Sequence, residues 1–126
     1  MTASSDADYA KSLGAQMAGY AQNPADRDKI QGWSLASDRA VVAAAVTEDF
    51  ELDLRAGLTA NTVPITLLYP DYAPVGSTAA GVDARYQGAY AQAPKVTVRR
   101  IDKSLHFIMF DQPQAFAEAL DAFLAQ

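Results

Sequence analysis

The chain carries one histidine, His106, within Ser104-Leu105-His106-Phe107-Ile108-Met109-Phe110-Asp111-Gln112-Pro113. Histidine is the side chain whose ordinary titration falls nearest neutral pH, so the chemistry it offers is proton transfer. On position alone the favoured reading is the plainer one, a partly buried histidine satisfied by hydrogen bonds. Other constellations are missing. There is no cysteine, hence no thiolate ligand, no Cys nucleophile and no disulfide. There is no His-x-x-x-His pair, no phosphate-binding Walker loop and no Gly-x-Gly-x-x-Gly turn, so neither a metal nor a nucleotide cofactor is expected. Glu48 and Asp49 are adjacent and cannot share a helix face; they read as a solvated helix end.

The elements that must position His106 follow from hydrophobic spacing. Tyr9, Leu13, Met17 and Tyr20 fall on one helical stripe, with Ser5 as its cap and Asp6 and Asp8 in its first turn. Asn23-Pro24 starts a second helix to about Leu35, which should bury Ile30 and Trp33. Ser37-Asp38 restarts the chain, and Val41, Val42, Ala45 and Val46 give a third helix a small-residue face up to about Asp49. A connector then runs to Asn61. Pro64-Ile65-Thr66-Leu67-Leu68-Tyr69 is a nearly continuous apolar run, as in a strand covered on both faces. A helix over about Val82 to Ala93 carries Val82, Tyr86 and Tyr90, and a second strand spans Val96 to Ile101. Pro113 opens a final helix whose stripe is Phe116, Leu120, Phe123 and Leu124.

The order is three helices, then strand, helix, strand, helix: an α/β chain whose two strands should run parallel through a right-handed crossover. Two parallel strands leave two open edges and too little surface to cover the helices. The sheet is therefore expected to be completed by a partner, either another chain or a second copy of this one.

The stretch from Ser104 to Pro113, followed by Phe116 and Leu120 to Leu124, resembles the C-terminus of α/β-hydrolases, where the catalytic histidine sits in a loop after the last strand and a final helix follows. Upstream, Asp53-Leu54-Arg55, Leu58 and Val63-Pro64-Ile65-Thr66-Leu67-Leu68-Tyr69 resemble the approach to the penultimate strand of that fold. The resemblance covers about residues 38 to 126. It implies a cap-like helical segment over residues 1–50 and the C-terminal part of the hydrolase core over 51–126. It makes His106 the general base of a Ser-His-Asp triad. The acid is then expected after the penultimate strand, where Asp71 is the leading candidate and Asp83 and Asp102 are weaker ones; the loop departs from the family pattern, and an Asp capping a turn beside Pro70 is the alternative. Tyr20, Met17 and Trp33 would line a substrate pocket under the cap, or else belong to the core.

The nucleophile is absent. No Gly-x-Ser-x-Gly elbow occurs, and Gly76-Ser77 lies in the wrong region with the wrong spacing. A chain with the proton-handling half alone has nothing to attack with, so the monomer should be inert. The resemblance thus implies half of an ester-type serine hydrolase, with serine and oxyanion hole on a second polypeptide. The alternatives are a non-catalytic homodimerising module and a fragment of a longer hydrolase.

Among its 126 residues, 50% are hydrophobic and 20% charged, with a net charge of −5, the balance of a folded domain rather than a disordered tail. An acidic chain whose one adjacent basic pair, Arg99-Arg100, lies in a strand-like run is not built to grip phosphate backbones. No basic and apolar leader and no apolar run of about 20 residues is visible, so no membrane span and a cytoplasmic location are expected.

Overall fold

The computed structural model describes residues 5–125. It is a mixed α/β chain, mostly helical, around a small parallel sheet of two strands. Three helices come first: α1 (Asp6–Gln16), α2 (Pro24–Ala36) and α3 (Arg39–Glu51). Each is started by the residue whose side chain can accept from the first free N–H groups. Ser5 accepts from the Asp8 N–H, Asn23 from Ala25, and Asp38 from both Ala40 and Val41. Strand β1 (Ile65–Pro70), helix α4 (Ala79–Ala89) and strand β2 (Val96–Ile101) make the crossover unit, followed by a short helix α5 (Ile108–Asp111) and the final helix α6 (Pro113–Leu124).

The first helix stops earlier than its apolar stripe suggests. Met17–Gly19 tighten into a 3-10 turn, and the Tyr20 N–H donates to the Met17 carbonyl at 3.0 Å. This early stop turns the carbonyls of Gly19 and Tyr20 outward, where they accept from the backbone of His106 at 3.3 Å and Phe107 at 2.9 Å. Met17, Ala21 and Ile30 form a buried cluster against which Tyr20, Phe107 and Phe110 pack. The N-terminal helices are thereby docked on the loop that carries the histidine. Trp33, expected inside, is 50% exposed, with the Phe110 ring at 6.0 Å and the Lys29 ammonium at 5.5 Å from its ring. Helix α3 buries none of its residues; Arg39, lying over the Tyr9 ring at 4.2 Å and bonded to Asp6, ties its start to α1. The small-residue face of Val41, Val42 and Val46 stays open to solvent.

The strands pair in parallel with Ile65 opposite Val96 and Pro70 opposite Ile101. The Ile65 N–H donates to the Lys95 carbonyl at 2.8 Å. In a parallel ladder this fixes the phase: Ile65, Leu67 and Tyr69 bond to β2, while the N–H and C=O groups of Thr66 and Leu68 point away from it. Each face of the sheet meets a helix. Tyr69 stacks on Tyr86 of α4 at 4.5 Å and donates its hydroxyl hydrogen to Asp83 at 2.8 Å. On the other face, Thr66 and Leu68 share a cleft of about 260 Å³ with Phe116, Leu120 and Phe123 of α6. No helix among the described residues is long and apolar enough to cross a membrane.

Candidate functional site

His106 sits at the exposed apex of the loop between β2 and α5. The loop is held almost atom by atom. Ser104, fully buried, donates its hydroxyl hydrogen to the Ile101 carbonyl at 2.6 Å, and Leu105 beside it is 1% exposed. Three consecutive backbone N–H groups then reach distant acceptors: Leu105 to Asp111 Oδ2 at 2.7 Å, His106 to Gly19, and Phe107 to Tyr20. The other oxygen of Asp111 accepts from the Gln22 N–H at 2.8 Å. The Lys103 carbonyl takes the side-chain amides of Gln22 at 2.7 Å and Gln112 at 3.0 Å. The backbone that carries the imidazole is thereby fixed on both sides of His106.

The ring itself touches aromatics. Its centroid lies 5.2 Å from Tyr20 and 5.1 Å from Phe107. Among the described residues, no hydrogen bond or ion pair joins the imidazole to a carboxylate.

Asp71 is placed differently from the role of imidazole acid. It is 7% exposed, and its Oδ1 accepts from the backbone N–H of Ala73 at 3.1 Å and Ser104 at 3.2 Å, while Oδ2 accepts from Lys103 at 2.9 Å. It clasps the loop after β1 to the loop after β2. Burial by itself would push this carboxyl up, but the backbone donors of Lys103, Ala73 and Ser104 outweigh it and hold the group below its usual range. Asp71 therefore reaches His106 through the backbone, not through the ring. Both weaker candidates are engaged elsewhere. Asp83 pairs with Arg100 and accepts from Tyr69, and Arg100 first, then Tyr69, holds it below the usual range; Asp102 accepts from Arg100 at 2.6 Å.

The expected pocket residues divide. Tyr20 lies against His106, Met17 is core at 3% exposure, and Trp33 stands apart on Phe110. Two larger clefts lie away from the histidine. One, of about 580 Å³, includes Phe50, Leu54, Leu58 and Tyr90; the other, of about 640 Å³, lies between α1 and α3.

Three positions beside the histidine carry no sequence signal. Asp111 and Gln22 are 89 residues apart, and nothing in either neighbourhood announces their bond. Tyr72 is the third. Its backbone is left-handed, with φ 53°, and its N–H donates to the Ser104 carbonyl at 3.1 Å. Burial first, then the adjoining Tyr86 phenol that hydrogen-bonds it, pushes the Tyr72 hydroxyl up to about 12, so it stays a neutral phenol near Tyr20. Lys103, at φ 56°, is the only other described non-glycine residue with positive φ, and both flank the Asp71 clasp.

No protein-family model, curated protein or solved structure matches this chain.

Proposed function

We propose that this chain is one half of an α/β-hydrolase-type serine hydrolase of the cytoplasm, supplying the general base His106 to a second polypeptide that carries the serine and the oxyanion hole. The observation that carries this reading is the treatment of one loop: its backbone is pinned at Leu105, His106 and Phe107, yet the imidazole at its apex is left facing solvent. A histidine kept for packing would have its ring satisfied, not its peptide groups.

In the completed site, His106 takes the proton from the partner's serine as that oxygen attacks an ester carbonyl, then returns it to the departing alcohol. Water, deprotonated by the same imidazole, cleaves the acyl-serine. Asp71 acts as a positioning residue, orienting the loop by its three backbone bonds. Tyr20 provides one wall for an apolar acyl or alcohol group.

The test is co-expression with a companion bearing a Gly-x-Ser-x-Gly elbow, followed by hydrolysis of a small aryl ester. Loss of the general-base histidine should lower kcat by about a thousandfold or more. If His106→Ala cleaves the ester as fast as the unmodified complex, the reading fails. A second reading, a homodimerising module without chemistry, is favoured by one observation, the open apolar face of α3 at Val41, Val42 and Val46. A stable dimer of the chain alone, without esterase activity in any complex, would select it.

A further inference from the structure

We propose that the outer edge of β1 is the seam at which the nucleophile-bearing chain joins, by adding a β-strand beside Thr66 and Leu68. This rests on the reading above and names where its partner binds.

The two edges of the sheet differ in kind. On β2, the outward groups belong to Val96, Val98 and Arg100, in a strand that also carries Arg99 and is flanked by Lys95 and Asp102. Charged side chains along a strand are how sheets discourage further pairing. On β1, residues 64–70 carry no charge at all. Its outward positions are Pro64, Thr66, Leu68 and Pro70, so the prolines fall where no donor is present and leave two complete amide groups between them. Among the described residues, the N–H and C=O groups of Thr66 and Leu68 meet no hydrogen-bond partner. Amide groups left unpaired at strand spacing are a template on which another strand can pair.

The side chains agree with the backbone. Next to that edge runs the apolar cleft of Pro64, Thr66, Leu68, Phe116, Leu120 and Phe123, about 260 Å³, and Leu120 and Phe123 are each 42% exposed. Alternate apolar side chains of an added strand would fill it. Direction selects the occupant. Strand β1 ends at Pro70, next to the Asp71 clasp on the His106 loop. A strand added in parallel therefore brings its C-terminal end to the same end of the sheet as the His106 loop. An antiparallel second copy would leave two His106 loops at opposite ends of the sheet and supply no nucleophile to either.

The experiment is amide exchange by NMR on the full chain, alone at two concentrations and with the peptide Ac-Lys-Val-Thr-Val-Thr-Val-Lys-NH2. Its β-branched residues suit a strand, and its lysines complement a chain of net charge −5. In the chain alone, Leu67 and Tyr69 should exchange at least about 100-fold more slowly than Thr66 and Leu68. The peptide should slow Thr66 and Leu68 and shift Phe116, Leu120 and Phe123. Phe123→Glu should weaken the peptide at least about tenfold while leaving Leu67 and Tyr69 protected, which shows the variant is folded. Protection of Val96 and Val98 instead, or no protection at either edge, overturns the seam. Protection of Thr66 and Leu68 that rises with the concentration of the chain alone assigns the edge to a second copy and overturns it equally. Ester cleavage is not part of this readout. A companion complex with Thr66 and Leu68 protected but no His106-dependent activity sinks the hydrolase reading and keeps the seam.

Discussion

Asp111 joins Leu105 to a residue on the far side of the chain: Oδ2 accepts the Leu105 N–H at 2.7 Å, and Oδ1 accepts the Gln22 N–H at 2.8 Å. One carboxylate thus fixes the histidine loop and docks the N-terminal helices on it. Asp111→Ala removes both acceptors and should cost about 2 kcal/mol, since hydrogen bonds to an ionised acceptor exceed ordinary ones. Asp111→Asn keeps one carbonyl oxygen and should lose less. Urea denaturation of the three proteins checks the order; equal midpoints for all would show that the clasp carries no stability.

Acid should loosen the second clasp. The Asp71 carboxyl is held below its ordinary range in the folded chain, so the folded state binds its proton less readily than the unfolded chain does. Its contribution is therefore present in full above the unfolded value of about 3.9 and is lost as pH falls through the depressed folded value. The unmodified protein should lose stability steeply below about pH 4, and Asp71→Asn should show a shallower dependence there together with lower stability at neutral pH. Denaturation midpoints taken from neutral pH down into this range decide it. A parallel pH dependence in the two proteins would remove Asp71 as the source.

Much of the fold is legible in the residue order, and the reason is local. Ser5, Asn23 and Asp38 announce helix starts because a cap needs only its own side chain and the next three residues. The two strands are legible for a similar reason, one as a nearly continuous apolar run and the other by alternation. What escaped is long-range. The shortened α1, the half-exposed Trp33 and the clasp residues Asp111 and Gln22 depend on which distant loop comes to rest nearby. His106 is visible as the lone histidine, but that Asp71 grips the backbone around it, not its ring, is a matter of a few ångströms that no spacing encodes.

Lys103 offers a test of strain. Its φ of 56° lies where a Cβ crowds the following carbonyl, at a cost of about 1–2 kcal/mol for a side-chain-bearing residue. Lys103→Gly should be more stable by about 0.5–1 kcal/mol after the greater freedom of glycine in the unfolded chain is subtracted. Lys103→Val should be less stable by about 1 kcal/mol or more, because a β-branched side chain tolerates this region worst. Thermal unfolding of the pair against the unmodified chain gives the sign directly, and a stabilising valine would contradict the left-handed conformation.

Leu105 and Phe50 are both large and apolar, yet they should answer mutation in opposite ways. Leu105 is 1% exposed within the histidine loop, whereas Phe50 is 86% exposed at the end of α3. Leu105→Ala removes buried methyl groups and leaves a cavity that the pinned backbone on either side cannot close, at about 2–5 kcal/mol. Phe50→Ser gives up almost no buried surface, and its effect should stay within about 0.5 kcal/mol. Denaturation midpoints measure both. In a complex with the companion chain the contrast should persist for Leu105, while Phe50→Ser should begin to cost stability only if α3 is itself covered on assembly. A Phe50→Ser chain as damaged as Leu105→Ala when alone would mean that the face of α3 is already packed against something in solution.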